Sequence, residues 1–145
     1  MKRTNQHTAW AATFSIAAEL SRRGYEVAFT MGNTPRIDLL CSVPDGKSFK
    51  VQVKGISSKN AFYAQKHFFD APTQNNLYLV VVLVPRDNEL PLQFFILTHK
   101  EAQQEFKSMR KMKKDGRPYE SGFGLNWGSI TPYKNKWATF PEYSV

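Results

Sequence analysis

The sequence predicts an α/β domain with a mixed sheet of four to five strands flanked by helices. Three stretches carry that expectation. Residues 8–23, TAWAATFSIAAELSRR, are Ala-rich and stop at Gly24, as a helix does. Residues 48–55, SFKVQVKG, alternate apolar and polar behind the turn PDGK, as the second strand of a hairpin does. Residues 76–84, NLYLVVVLV, run unbroken and apolar, as a strand covered on both faces does.

The remaining elements follow in chain order. On a helical wheel Ala9, Trp10, Phe14, Ile16, Ala17 and Leu20 form one broad apolar arc for the first helix, with Thr13 inside it and Glu19 outside. YEVAFT (25–30) is a short strand, and MGNTP (31–35) a loop marked by Gly-Asn and Pro. RIDLLCSV (36–43) is the strand that pairs with 48–55 through PDGK. Residues 56–76 are mixed, and LQFFILT (92–98) is the last strand. Thr98-His-Lys-Glu101 matches a capping box and opens a helix that runs to about Lys114. The tail, from SGFGLNWG onward, is irregular and aromatic. No repeat or interdomain linker interrupts residues 1–145, so one domain is expected.

Composition narrows the partners. The chain of 145 residues is 41% hydrophobic and 14% aromatic, enough for a packed core. Its formal charge of +8 favours polyanions such as nucleic acid or anionic lipid. Cys41 is the only cysteine. It cannot form an internal disulfide or a thiol-rich zinc site, sits in an apolar run, and suits a reducing cytoplasm. No apolar stretch approaches the ~20 residues that span a membrane. Lys2 and Arg3 before AWAATFSIAA loosely mimic a signal peptide, but Thr13 and Ser15 interrupt that stretch and a helix explains it better.

One constellation carries chemistry. Asp38 lies in an otherwise apolar strand, where a charge needs a partner or a purpose. Gln52 and Lys54 share one face of the next strand. A carboxylate and an amide oxygen suit a hard cation such as Mg²⁺, and an ammonium beside them suits developing negative charge. The alternative is an Asp38–Lys54 ion pair with Gln52 as bystander. Register decides whether the groups meet. A four-residue loop would set Asp38 opposite Val53, on the wrong face. Asp38 meets Gln52 only across a five-residue connection or a bulge.

The order helix, Gly24-Tyr25, GNTPRIDLLC, turn, FKVQVKG resembles the PD-(D/E)xK nuclease superfamily and its restriction-endonuclease-like fold, over about residues 8–55. The Gln-x-Lys form is similar to that of Mrr-type restriction enzymes, and the chain also looks like small uncharacterised bacterial and phage members. The resemblance implies a single nuclease-like domain, a Mg²⁺- or Mn²⁺-dependent endonuclease acting on DNA, and a catalytic set of Asp38, Gln52 and Lys54. Asp38, Gln52 and the Val53 carbonyl would hold the metal. It also admits a homodimer. One departure stands out: many relatives carry a helix glutamate where this chain has Thr13, and Glu19 faces the wrong way to replace it. A single carboxylate binds Mg²⁺ weakly unless substrate phosphates complete the shell. A catalytically inactive nucleic-acid-binding or protein-interaction member of the fold is the alternative.

Two further features bear on partners. Lys100, Lys107, Lys111 and Lys114, with Arg110 beside them, are expected along one side of the last helix, opposite Ala102, Phe106 and Met109. That stripe suits either a phosphate backbone or a solvated face. In the tail, Arg117, Lys134 and Lys136 lie among Tyr119, Trp127, Tyr133 and Trp137, a pattern that either stacks on bases or closes a core. His7, His67 and His99 show no ligand spacing, and of these His67 is placed to approach a substrate. GNTP lacks the following Lys-Ser/Thr of a phosphate loop.

Overall fold

The computed structural model describes residues 1–30, 37–44, 46–60, 62–63, 66–109, 113–117 and 124–142. The first helix, α1, spans Asn5–Arg22. Thr4 caps it by accepting from His7 N–H, and the His7 ring bonds back to Thr4 N–H. The helix therefore begins three residues before the expected start, because the cap lies upstream of the Ala-rich run. It ends as Gly24 demands. With φ at +90°, Gly24 N–H donates to Ser21 O and Tyr25 N–H donates to Leu20 O.

The arc expected to face inward is only half right. Ile16, Ala17 and Leu20 are buried, joined by Thr8 and Ala12, but Ala9, Trp10 and Phe14 are exposed, Phe14 by 56%. The reason is the small residue opposite. Gly55 lies so close to α1 that an added Cβ would stand 2.8 Å from Thr8 O and 2.9 Å from Ala12 Cβ. The contact face is the one whose small side chains let the helix backbone approach the sheet, not the one with the largest apolar residues.

Five strands form the sheet: β1 (Glu26–Phe29), β2 (Leu39–Ser42), β3 (Ser48–Ile56), β5 (Leu77–Leu83) and β6 (Gln93–Thr98), in the order β1-β2-β3-β5-β6. β3 and β5 are parallel, and the other neighbours are antiparallel, so the sheet is mixed as expected. Every residue of β5 is buried, which is why its sequence has no alternation. A small two-stranded pair joins β4 (Phe62–Tyr63) to β7 (Gly124–Leu125).

Two cores cover the two sheet faces. On one, α1 packs over Leu39, Cys41, Phe49, Val51, Tyr78, Val80 and Val82, and Phe140 closes the layer. On the other, Ile56, Leu79, Val81, Phe95 and Leu97 meet Phe68 and Phe69 of α2 (Lys66–Asp70) and Ala102 and Phe106 of α3 (His99–Met109). Burial pushes the Cys41 thiol up to about 12, so it is an inert core residue. The tail supplies α4 (Trp127–Ile130) and two short 3₁₀ turns. Trp127 and Tyr133 pack on the second core and Trp137 on the first, so these rings close cores rather than stand free for stacking.

α3 opens with the expected capping box. Glu101 N–H donates to Thr98 Oγ1 at 3.1 Å, and Thr98 N–H donates to a Glu101 carboxylate oxygen at 2.8 Å. Thr98→Ala is expected to lower unfolding free energy by about 1 kcal/mol with an unchanged m-value in urea titration. The basic stripe is shorter than expected. Lys100 and Lys107 are exposed on α3, but Lys114 lies in a turn bounded by the Gly116 N–H to Lys113 O bond, past the helix. Arg110, Lys111 and Tyr119 lie outside the described residues, as do residues 31–36 of the GNTP loop.

Candidate active site

β2 and β3 bring the chemistry-bearing residues together. Leu39 faces Val51 and Ser42 faces Ser48, which leaves five residues, 43–47, in the connection. Val43 N–H donates to Lys47 O, Gly46 N–H donates to Val43 O, and Gly46 takes φ of +91°. This is the register of the longer connection, and it ends at Leu39 facing Val51. The far end of the hairpin is irregular too. Asp38 N–H donates to Val51 O at 2.9 Å although Val51 is already the partner of Leu39, so two residues of one strand share one of the other, as in a bulge. On its other side, Asp38 O accepts from Thr30 N–H.

The bulge re-aims the Asp38 carboxylate along β3. One of its oxygens accepts from Val53 N–H at 2.7 Å. Burial raises the Asp38 pKa, and the Val53 hydrogen bond offsets only part of that rise. No ion pair joins Asp38 to Lys54, and Lys54 has no partner among the described residues. The simple cross-hairpin ion pair is therefore not what holds Asp38. In a strand, the N–H and C=O of one residue leave by the same edge, so the Val53 carbonyl is aimed toward Asp38 as well.

Gln52 is the anomaly. Its side-chain oxygen Oε1 is buried and accepts no hydrogen bond among the described residues. A buried acceptor left without a donor costs about 1–3 kcal/mol. Gln52 and Lys54 alternate with Val51 and Val53, which pack on the α1 core, so they occupy the opposite face, the one that α2 and α3 cover. The donor set there is a carboxylate, an uncommitted amide oxygen and a main-chain carbonyl. All are hard oxygens, and they fit a hard divalent cation that keeps several waters. Among the described residues there is no group of three or more His, Cys, Asp or Glu able to hold a metal, and Asp38 is the carboxylate of this donor set.

Thr13 does not contribute to this centre. It belongs to α1, on the other sheet face, is half-buried, and donates its hydroxyl to Ala9 O at 2.9 Å. Glu19 pairs with Arg22 and Arg23 along its own helix.

Compared with protein-family models, with curated proteins and with solved structures, the chain matches none. Among the described residues no helix is long and apolar enough to cross a membrane.

Three residues near the site escape sequence reasoning. His99 is fully buried; Gln74 N–H donates to its Nδ1 at 3.0 Å, and its Nε2–H donates to Phe68 O. Gln103 donates to Phe69 O and Ala71 O and accepts from Thr73. Gln74 accepts from Lys50 Nζ at 2.7 Å. Together they tie the segment 68–74 to α3 and β3. The only signal in the sequence is that His99 follows an apolar strand directly, which places it at a buried junction.

Proposed function

We propose that this chain is a metal-dependent nuclease of the PD-(D/E)xK type that hydrolyses DNA phosphodiesters. The observation that carries the reading is the buried, unpartnered Gln52 Oε1 on the same hairpin as the Asp38 carboxylate. Asp38, Gln52 and the Val53 carbonyl would hold Mg²⁺ or Mn²⁺, which when bound supplies charge stabilisation at phosphate and a bound water of lowered pKa. Asp38 presents its carboxylate with one oxygen already oriented by Val53 N–H. Lys54, whose ammonium is uncommitted, orients the attacking water or stabilises the negative charge that develops on the phosphoryl oxygens. Lys100 and Lys107 are exposed on α3, which covers the same sheet face, and the charge of +8 supports a polyanionic substrate.

Plasmid nicking in Mg²⁺ or Mn²⁺ tests this. The wild type is expected to cut, and Lys54→Ala to cut slower by about 10²-fold or more. Equal activity in both, or none in either, ends the enzymatic claim. The lone carboxylate supports a second reading, a non-catalytic member of the same fold that binds nucleic acid. That reading expects metal-independent gel shifts, steeply weakened by salt, without cleavage.

A further inference from the structure

Beside this centre, on the same sheet face, lies a cavity of about 180 Å³. Its inner wall is formed by Phe68, Leu77 and His99, all buried. His99 has both ring nitrogens committed, to Gln74 N–H and Phe68 O, so it is wall and not ligand. The polar rim is Lys50, His67 and Gln74. Lys50 Nζ donates to Gln74 Oε1, which occupies the amide oxygen of that rim. What remains for a ligand is two N–H groups of Lys50, the Gln74 NH₂ and the His67 imidazole. Among the described residues no carboxylate is bonded to Lys50.

Positive charge, spare donors and no competing carboxylate suit an anion rich in acceptor oxygens. The volume is below the ~300–1,000 Å³ of drug-sized sites, which suits one small group. Location names the group. Ile37, in the cavity wall, adjoins Asp38, and Lys50 precedes Gln52 by two residues on one strand face, about 6.6 Å. That separation is close to the span of one nucleotide of backbone. We propose that the cavity seats a phosphoryl group next to the scissile phosphodiester, with Lys50 as its anchoring cation. The inference rests on the nuclease reading for the identity of the strand. A chain-terminal phosphomonoester and an internal phosphodiester share the required chemistry.

The test is binding in EDTA, where no cleavage occurs, so that failure of catalysis leaves it intact. Fluorescence anisotropy at low salt would follow single-stranded oligonucleotides with a 5′-phosphate, a 3′-phosphate or neither. Lys50→Gln is expected to weaken binding about tenfold. Gln74→Glu, which sets a carboxylate on the rim, is expected to weaken it similarly. Arg86→Gln, exposed past the Leu83 end of β5 while the cavity lies at the Leu77 end, controls for general charge and is expected to cost about twofold at most. Thermal melts would check that each variant is folded. Tighter binding with a terminal phosphate, lost in Lys50→Gln, identifies a chain end. Equal binding of all three oligonucleotides, still weakened selectively by Lys50→Gln, identifies an internal diester. Equal losses for Lys50→Gln and Arg86→Gln, or no oligonucleotide binding, overturn the proposal. Absence of plasmid nicking with the Lys50 effect intact would instead overturn the enzymatic reading alone.

Discussion

Gly55→Val is expected to cost at least about 3 kcal/mol of unfolding free energy, and Gly55→Ala about 1–3. The argument is steric. A Cβ at Gly55 meets Thr8 O at 2.8 Å and Ala12 Cβ at 2.9 Å, and the first of these is backbone inside a helix. No flexible side-chain tip can yield there. Relief requires α1 to lift from β3, which opens the layer that buries Leu39, Phe49, Val51 and Leu20. Urea denaturation of both variants would read the loss. A stability within 0.5 kcal/mol of wild type for Gly55→Val, the range of ordinary surface changes, would show that α1 does not sit on β3 as described.

The second large effect separates activity from stability. On the proposed nuclease reading, Asp38→Asn is expected to reduce cleavage by about 10²-fold or more, because it removes the carboxylate of the proposed metal centre. The same change is expected to raise the melting temperature at pH 7 by a few degrees. Burial holds the folded-state pKa of Asp38 above its ordinary value of 3.8, so the ionised carboxylate is less favourable in the folded protein than in the unfolded chain. Asparagine keeps an oxygen for the Val53 N–H and carries no charge. As pH falls through the folded pKa toward 3.8, wild-type Asp38 becomes neutral too, and the advantage of asparagine shrinks to nothing below that value. On the proposed metal reading, Mg²⁺ is expected to reverse the order at neutral pH, stabilising the wild type and leaving Asp38→Asn unmoved. Melting curves across pH, with and without Mg²⁺, check each arm. A variant less stable than wild type at pH 7 would remove the case that Asp38 is held at a cost for function.

Much of the fold was legible because its signals are local. The run at Leu77–Leu83, the capping box at Thr98 and Glu101, and the stop at Gly24 each depend on neighbours within a few residues. Asp38, Gln52 and Lys54 stood out for a similar reason, since a polar group in an apolar strand is visible without coordinates. The inward face of α1 was not legible from side-chain size. Trp10 and Phe14 dominate any wheel, yet the helix turns Thr8 and Ala12 inward because Gly55 lies beneath them, 47 and 43 positions away in the chain.

The sequence by itself determined the kinds of groups available: one buried-strand carboxylate, one amide and one lysine on neighbouring strands, in a chain with a charge of +8. Only the tertiary structure decided how they stand. The five-residue connection, with Gly46 at φ +91°, and the sharing of Val51 set the level of Asp38 on β3. Those bonds turned its carboxylate to Val53 N–H instead of Lys54 and left Gln52 Oε1 buried without a donor. The cavity beside Lys50 likewise depends on long-range bonds: His99 and Gln103 hold the segment 68–74 to α3, and Lys50 ties Gln74 to β3. Register and long-range hydrogen bonds depend on how separate segments meet in space, and no local pattern of residues encodes where that meeting falls.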